Sequence, residues 1–439
     1  MIIRIKQLTL IFGDIIALYA ALFLMIGIRY GVFSQEFLGA HLMPFTIIFA
    51  FWLIIFYIAG LYDLRVVRTS YETLRTLAIA AFSGTVLAVI IFYLVPYFHI
   101  APKTSLVIFS IVFLALGTGW RLLFSAINPS YRRNIVIVGS NKETDELYAF
   151  FKQNPHVGYN VIGYLSSPQL LNAKELKNTA SKYNTSLFVI AKKYDLPPHI
   201  REEIHRYAAR GIEVMDSSTL YELALKKMSL EFHEDLLSLE PYTRQKRVQD
   251  AIKRPIEFIT TFILVLILSP VLLIIFLLIK LTSRGPGLYT QIRFGKYQKT
   301  FRIYKFRTMA HGAEKNGAQW SSGTDDPRVT RVGKFLRRTH IDEFPQLLNV
   351  LQGTMSLVGP RAERPEFVTG LLDKLPYYEL RHIIKPGITG WAQTNYRYGS
   401  SIADARAKLQ YDLWYAKHRS LLLDLLIILR TIKHFFAIL

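Results

Sequence analysis

The residues best suited to chemistry lie in one stretch that begins at Arg331, RVGKFLRRTHIDEFPQLLNVLQGTMSLVGPRAERPEF. It sets the adjacent carboxylates Asp342 and Glu343 between an arginine-rich approach and the turn Val358-Gly359-Pro360-Arg361. Thr339-His340-Ile341-Asp342 reads as a helix-start signal, and Pro345 fits an early helical position. The pair is therefore expected in the first turn of a helix continuing over Phe344–Leu351, where exposed amides and the macrodipole favour ionised carboxylates. Neighbours on a helix diverge by about 100°, which suits two carboxylates to different tasks rather than to one shared proton. One can attack phosphorus and form an acyl phosphate. The other can hold a hard cation such as Mg²⁺. An isolated acidic pair would be read as helix capping alone; the cations around this one change its weight. Tyr304–Met309 alternates in strand fashion, which puts Lys305 and Arg307 on one face. Arg328, Arg331, Arg337 and Arg338 precede the pair, and the Gly-Pro turn can aim Arg361 back toward it. Cations so placed stabilise charge developing on a transferring phosphoryl group. The chemistry indicated is on a phosphate ester with a divalent metal, and about half of the arginines are expected at the surface or on lipid headgroups.

Two further loops bear on binding. Lys385-Pro386-Gly387-Ile388-Thr389-Gly390-Trp391-Ala392-Gln393 is a glycine-rich turn followed by an aromatic and an amide, apt for a base or a sugar. Lys385, Trp391 and Gln393 are its candidate contacts. The polar loop Ser321–Arg328 carries Asp325 and Asp326, which could be ligands, though turn formation is the better reading.

The elements that must position these residues are partly membranous. Over 439 residues the apolar fraction is 51% and the mean hydropathy +0.25, too high for an ordinary soluble protein. Four apolar stretches, Leu8–Ile28, Pro44–Leu61, Leu77–Pro96 and Thr104–Phe124, are each close to the roughly 20 residues a helix needs to cross a bilayer. No cleavable signal peptide is expected, because the first run leads directly into further spans. Arg4 and Lys6 precede the first span; Arg65, Arg68 and Arg75 follow the second; Arg132 and Arg133 follow the fourth. The other two loops carry only Arg29 and Lys103, so both ends of the bundle are expected on the cytoplasmic side.

A second membrane element precedes the chemistry. Phe258–Leu281 is long enough to span, but Ser269-Pro270 breaks its centre. Basic residues flank both ends, Lys246, Arg247, Lys253 and Arg254 before and Lys280 and Arg284 after. A spanning helix would put one cluster on the wrong side. A helix that enters, bends at Ser-Pro and returns keeps both on one face, and serine can satisfy backbone groups freed at the bend. A plain kinked fifth span is the alternative. The closing Leu421–Leu439, interrupted by Asp424, Arg430, Lys433 and His434, suits a helix lying at the interface.

Between these parts the pattern is α/β. Asn134–Gly139, Val161–Leu165, Leu187–Ala191 and Ile212–Asp216 read as short strands, alternating with helices such as Glu143–Gln153 and Ile200–Arg210. A parallel, doubly wound sheet follows. Only Gly139 of the first turn suits a dinucleotide fingerprint, so a regulatory or dimer-forming Rossmann-like module is expected rather than a nucleotide site. The fold class is thus membrane α plus α/β: a four-helix transmembrane bundle over 1–128, a Rossmann-like module over 129–240, and a catalytic domain over 241–439 with a re-entrant helix at about 254–281. Of the net charge of +21, +17 falls in the last of these. The apolar segments direct that charge to a membrane face or a phosphorylated substrate rather than to nucleic acid. Cysteine is absent, which excludes disulfides, thiolate metal sites and a cysteine nucleophile.

The Ser-Pro-broken helix, Gly295 with KFRTM, the Asp342-Glu343 stretch, KPGITGWAQ and the closing YDLWYAKHRSLLLDLLIILRT together resemble the bacterial sugar transferases. These are the monotopic phosphoglycosyl transferases, also called polyprenyl-phosphate glycosyl-1-phosphate transferases. The resemblance covers roughly Gln245–Leu439, and the N-terminal parts look like those of long-form members. It implies that Asp342 attacks the β-phosphate of a UDP-sugar and releases UMP, and that the phosphosugar then passes to undecaprenyl phosphate in a ping-pong reaction. It implies Mg²⁺ held with Glu343 (and Asp342), phosphate contacts from Arg361, and an active site set at the membrane surface by Ser269-Pro270. The product would start an exopolysaccharide, capsule or O-antigen repeat unit at the bacterial cytoplasmic membrane, with the site on its cytoplasmic face. A homodimer, formed through the bundle or the Rossmann-like module, is expected. One departure stands out: where the family often has Pro-Arg-Pro, this chain has Pro360-Arg361-Ala362, which should loosen the turn. Competing readings are an assembly scaffold without catalysis, a nucleotide-sugar oxidoreductase or epimerase, and a transporter. The intact acidic pair, the missing glycine fingerprint and the near absence of central ionisable residues in the spans beyond Asp14 argue against them in turn.

Overall fold

The computed structural model describes residues 2–33, 35–62, 71–94, 102–127, 133–154, 157–166, 184–191, 196–230, 244–310, 312–313, 326–396, 399 and 401–438. Pro96, Arg65, Arg68, Arg132 and Asp325, used above, lie outside them, as does the expected boundary at residue 241. The chain divides into two units, Met1–Leu220 and Tyr221–Leu439. Among the described residues five helices are long and apolar enough to cross a membrane.

Four of these open the first unit: α1 (Ile2–Tyr30), α2 (Gln35–Ala59), α3 (Tyr71–Leu94) and α4 (Pro102–Ile127). Their shared interior is aromatic. Phe45, Trp52 and Phe56 of α2 interleave with Phe109 and Phe113 of α4 at centroid distances between 5.2 and 5.5 Å. Gly84 of α3 lies beneath Trp52, whose ring would stand 2.6 Å from an added Cβ. Phe12, Ile16, Phe82 and Ile111 point outward, so the bundle is apolar inside and out, as lipid requires. Asp14 has a specific use: it accepts both Arg121 terminal nitrogens, at 2.7 and 2.9 Å, inside the bundle. That pair joins α1 to α4 and leaves neither charge alone in an apolar interior.

The rest of the unit is a four-stranded parallel sheet in the order β2-β1-β3-β4. Its strands are β1 (Arg133–Val138), β2 (Tyr159–Leu165), β3 (Leu187–Ile190) and β4 (Glu213–Asp216), with helices α5 (Lys142–Gln153) and α6 (Pro198–Ala209) between. The buried run Ile135–Val138 is the sheet's centre. Gly139 takes a φ of 91° to turn the chain into α5, and the Asn141 side chain caps that helix by accepting the Thr144 amide at 2.9 Å.

In the second unit, α7 (Arg244–Thr282) runs through Ser269-Pro270 without interruption. Pro270 has no N–H for the Leu266 carbonyl, and the Ser269 hydroxyl donates to that carbonyl instead, at 2.8 Å. Leu266, Ile267, Leu273 and Ile274, about this point, are exposed. Both ends of α7 are tied down. Arg254 donates to the Val350 and Leu351 carbonyls, at 2.5 and 2.8 Å, and so closes the C-terminus of α9 (Leu347–Gln352). Ile275 and Ile279 pack on Phe306 and Leu336. Those two belong to the hairpin β5 (Leu288–Phe294) and β6 (Thr300–Phe306) and to α8 (Arg331–Arg338).

The remaining core is built on α10 (Ile402–His418), whose Leu409, Leu413, Trp414 and Tyr415 pack with Val358, Trp391 and Ile427 of α11 (Leu421–Ile438). A short parallel pair, β7 (Ser356–Val358) and β8 (Gly387–Thr389), joins the two loops singled out by sequence. Gly359 donates to the Thr389 carbonyl and Gly387 to that of Pro360, both at 2.9 Å. Backbone meets backbone here. A Cβ on Gly387 would lie 2.0 Å from the Gly359 nitrogen, and one on Gly390 2.2 Å from the Gly359 oxygen. Neither atom is the tip of a flexible side chain. Gly387→Ala is expected to cost about 3 kcal/mol, at the upper end for overpacking, seen as a lowered unfolding temperature of the detergent-solubilised protein.

Candidate active site

The acidic pair does not start an α-helix. Thr339 ends α8, its hydroxyl donating backward to the Phe335 and Leu336 carbonyls at 2.9 and 3.2 Å. His340 then takes a left-handed conformation, φ 53°, without capping anything by its side chain. The chain reverses there and enters a 3-10 helix, Ile341–Gln346, that carries Asp342 and Glu343 before α9 begins. The pair thus sits in a first turn as expected, but that of a 3-10 helix leading into α9 rather than of an α-helix over Phe344–Leu351. Asn349 fixes this arrangement against the hairpin: its buried amide accepts from the Tyr304 N–H at 3.1 Å and donates to the Arg302 carbonyl at 2.8 Å.

The two carboxylates have opposite surroundings. Glu343 is held by Lys305, whose ammonium donates to Oε1 at 2.8 Å, and by Arg361, which donates to Oε1 at 2.6 Å and Oε2 at 3.2 Å. Burial alone would raise this carboxyl; Arg361 and Lys305 overcome it and hold Glu343 well below the usual carboxylate range. Asp342 accepts no hydrogen bond among the described residues. Burial, and then the negative charge of Glu343, push its carboxyl above the ordinary value, against the opposing pull of Lys305 and Arg361. Environments that separate two adjacent carboxylates in this way assign them different roles. Glu343 is a fixed anion, and Asp342 is an open one.

Arg337 completes the surround. Its Nε donates to the Thr308 hydroxyl at 2.9 Å; burial lowers its guanidinium, and the charges of Asp342 and Asp326 act the other way. Asp326 pairs with Arg328 at 2.6 Å and accepts the Arg328 backbone N–H at 3.1 Å, as a turn-forming aspartate does.

Of the candidate residues, the structure thus brings Lys305, Arg361 and Arg337 to Asp342 and Glu343. It takes the others elsewhere. Strand β6 ends at Phe306, so Arg307 does not share the use of Lys305; it is buried and donates to the Ser283 carbonyl and hydroxyl, at 2.9 and 2.6 Å, at the end of α7. Arg338 is exposed. Trp391 is buried, stacked on Trp414 at 5.1 Å, with its indole N–H on the Lys226 carbonyl. Gln393 braces its own loop by donating to the Ile388 carbonyl at 3.3 Å. Lys385 faces a separate cleft beside the start of α7.

Sequence reasoning missed what stands behind Arg361. The Arg361 carbonyl accepts from Arg381 at 3.2 Å and that of Ala362 from Arg293 at 3.1 Å. Arg381 is itself buried against Asp412 at 2.8 Å and donates to the Tyr378 hydroxyl at 2.5 Å. Two buried guanidiniums therefore hold the turn in which Ala362 replaces a proline. No local pattern announces this, since Arg381 and Asp412 lie 31 residues apart.

The described residues contain no cluster of three or more acidic or histidine side chains fit for a metal. The acidic pair alone nevertheless suits Mg²⁺, which binds through one or two carboxylates together with substrate phosphates and water. A carboxylate offers about four acceptor positions. Lys305 and Arg361 use three on Glu343, and those of Asp342 are open.

Comparison with known proteins follows the same division of the chain. A family model described as bacterial sugar transferase matches residues 248–437, and one described as a CoA-binding domain matches 57–185. The chain is 46% identical over 182 residues to the UDP-N-acetylgalactosamine-undecaprenyl-phosphate N-acetylgalactosaminephosphotransferase of Aeromonas hydrophila, a match covering 42% of this chain and 43% of that protein. It is 30% identical over 331 residues to the UDP-glucose:undecaprenyl-phosphate glucose-1-phosphate transferase of Escherichia coli K12, covering 73% and 70%. An undecaprenyl-phosphate galactose phosphotransferase of Salmonella typhimurium is 28% identical over 331 residues, covering 69% and 68%.

Proposed function

The chain belongs to the bacterial sugar transferases, and from that premise we propose that it moves sugar-1-phosphate from a UDP-sugar to undecaprenyl phosphate by way of a phosphosugar carried on Asp342. The observation that carries this reading is the contrast within the acidic pair: one carboxylate pinned by two cations, its neighbour buried, ringed by cations and free of hydrogen bonds among the described residues. In the first step an Asp342 oxygen bonds to the β-phosphorus while the bond to UMP breaks, and UMP leaves with that electron pair. In the second, a phosphate oxygen of the acceptor attacks the same phosphorus and Asp342 departs as carboxylate. Arg361 and Arg337 neutralise charge on the transferring phosphoryl group, and Lys305 with Glu343 keeps Arg361 at that position. Asp342 and Glu343 would hold Mg²⁺ through their remaining oxygens, and the bound ion would supply charge neutralisation to the diphosphate.

The re-entrant reading of α7 is supported by three features. Its middle is uncovered apolar surface, its two ends are tied to one group of elements, and its proline-freed carbonyl is satisfied locally. Together with Arg4, Lys6, Arg75 and Arg133 flanking the bundle's helices, this reading supports a place in the bacterial cytoplasmic membrane with the site on the cytoplasmic face. Among the described residues, the start of α5 is not a diphosphate site. The N-terminus of α5 is closed by its own Asn141–Thr144 capping box and carries Glu143 and Asp145 where a diphosphate would rest.

The reaction is tested by UMP release from purified protein with Mg²⁺, undecaprenyl phosphate and UDP-N-acetylgalactosamine, UDP-glucose or UDP-galactose. Release with one donor supports it; folded protein that releases UMP with none of a wide UDP-sugar panel speaks for the scaffold. A pH profile adds a second check. Asp342 attacks as the carboxylate, so kcat/KM has an acid limb that falls as pH drops through its pKa. Lys305→Gln removes a charge that lowers the Asp342 carboxyl, so the limb should move to higher pH. A limb that stays or moves down contradicts the assignment.

A further inference from the structure

A small open cleft lies beside the start of α7, lined by Lys253, Arg254, Lys296, Lys385 and Arg419. Two carboxylates also line it, Asp250 and Glu257. Both are already engaged. Asp250 pairs with Arg419 at 3.0 Å; Glu257 accepts the Ser356 hydroxyl and the Leu357 N–H and stands 3.6 Å from Lys253. Lys253 is matched by Asp424 at 2.8 Å. Arg254 spends its two terminal nitrogens on carbonyls and meets no carboxylate among the described residues. Lys385 has neither a hydrogen bond nor an ion pair among them. Burial, and next the charge of Arg254, lower its ammonium, against the opposing pull of Glu257 and Asp250. The cleft therefore presents a half-buried ammonium with three unused donors beside a guanidinium whose charge is unmatched.

Its position selects the anion. The apolar run of α7 begins at Phe258, one turn past Arg254, and α11 begins two residues past Arg419. Val358, which lines the cleft, is three residues from Arg361, at most roughly 10 Å along extended backbone. We propose that this cleft binds the phosphate headgroup of a lipid at the membrane surface, with Lys385 as its principal contact. Two lipids carry that chemistry: a polyprenyl phosphate, for which the cleft would be the acceptor's waiting position beside the transfer site, and an anionic phospholipid. The inference rests on the membrane reading of α7 given above.

The test uses full-length protein in phosphatidylcholine nanodiscs doped with either undecaprenyl phosphate or phosphatidylglycerol. Lipid retention is read by native mass spectrometry, and acylation of Lys385 by peptide mapping. Retention of the phosphate lipid with protection of Lys385 is expected. Lys385→Gln should weaken retention about tenfold, the scale of one charge-assisted contact, while Lys385→Arg retains it. Lys385 bonds to nothing among the described residues, so unchanged thermal unfolding of Lys385→Gln separates this loss from misfolding. A loss confined to undecaprenyl phosphate identifies the acceptor, and an equal loss for phosphatidylglycerol identifies bulk anionic lipid; both support a lipid phosphate. Retention indifferent to Lys385, or displacement of the lipid by UMP, overturns the proposal. UMP release from the same discs reports the transferase reading separately, so either can fail alone.

Discussion

Asp342→Asn is expected to fold as the parent does and to release UMP on the order of 10⁶-fold more slowly or not at all, the scale seen when a nucleophile is removed. The expectation of intact folding comes from the geometry. The Asp342 carboxylate accepts no hydrogen bond among the described residues, and an amide of the same shape replaces it without loss of a partner. Burial already disfavours the ionised form, so removing the charge relieves the fold. An unfolding temperature no lower than the parent's, beside lost UMP release, would separate chemistry from stability. Release that survives the substitution would move the nucleophile elsewhere.

Arg361→Met should lower kcat/KM by about 10²- to 10³-fold, the usual cost of losing one preorganised donor at a developing charge. Two effects add. The transferring phosphoryl group loses a guanidinium, and Glu343 keeps Lys305 alone against the cost of burial. Arg361→Lys should recover little, since one ammonium cannot reproduce the two-nitrogen contact with Glu343 at 2.6 and 3.2 Å. A positioning role for Arg381 follows from its contact with the Arg361 carbonyl.

Much of this was legible in the sequence because it depends on local composition. Apolar length marked the four bundle helices, alternating patterns marked the parallel sheet within a residue or two, and Ser269-Pro270 announced the hydroxyl-to-carbonyl substitution seen at Leu266. The acidic pair stood out for the same reason. What failed was direction and distance. Thr339 is equally able to cap the helix ahead or to bond the turn behind, and tertiary context chose the second. The alternation through Arg307 continues on paper, but the strand stops at Phe306, and Arg307 turns to Ser283 in another element. The glycines of KPGITGW looked like a ligand loop; Gly387 and Gly390 are required for contact with the Gly359 backbone. Support for the turn that lost its proline comes from Arg381 and Arg293, which are remote in sequence and invisible to any local rule.

The most direct test of the central claim is the intact mass of the protein after incubation with its UDP-sugar and Mg²⁺ in the absence of undecaprenyl phosphate. An acyl phosphate on Asp342 predicts an added mass equal to one sugar phosphate, located to the peptide containing Asp342, discharged on adding undecaprenyl phosphate and absent from Asp342→Asn. An unmodified protein that nonetheless transfers sugar phosphate when the acceptor is supplied would contradict it, and would mean that donor and acceptor react directly.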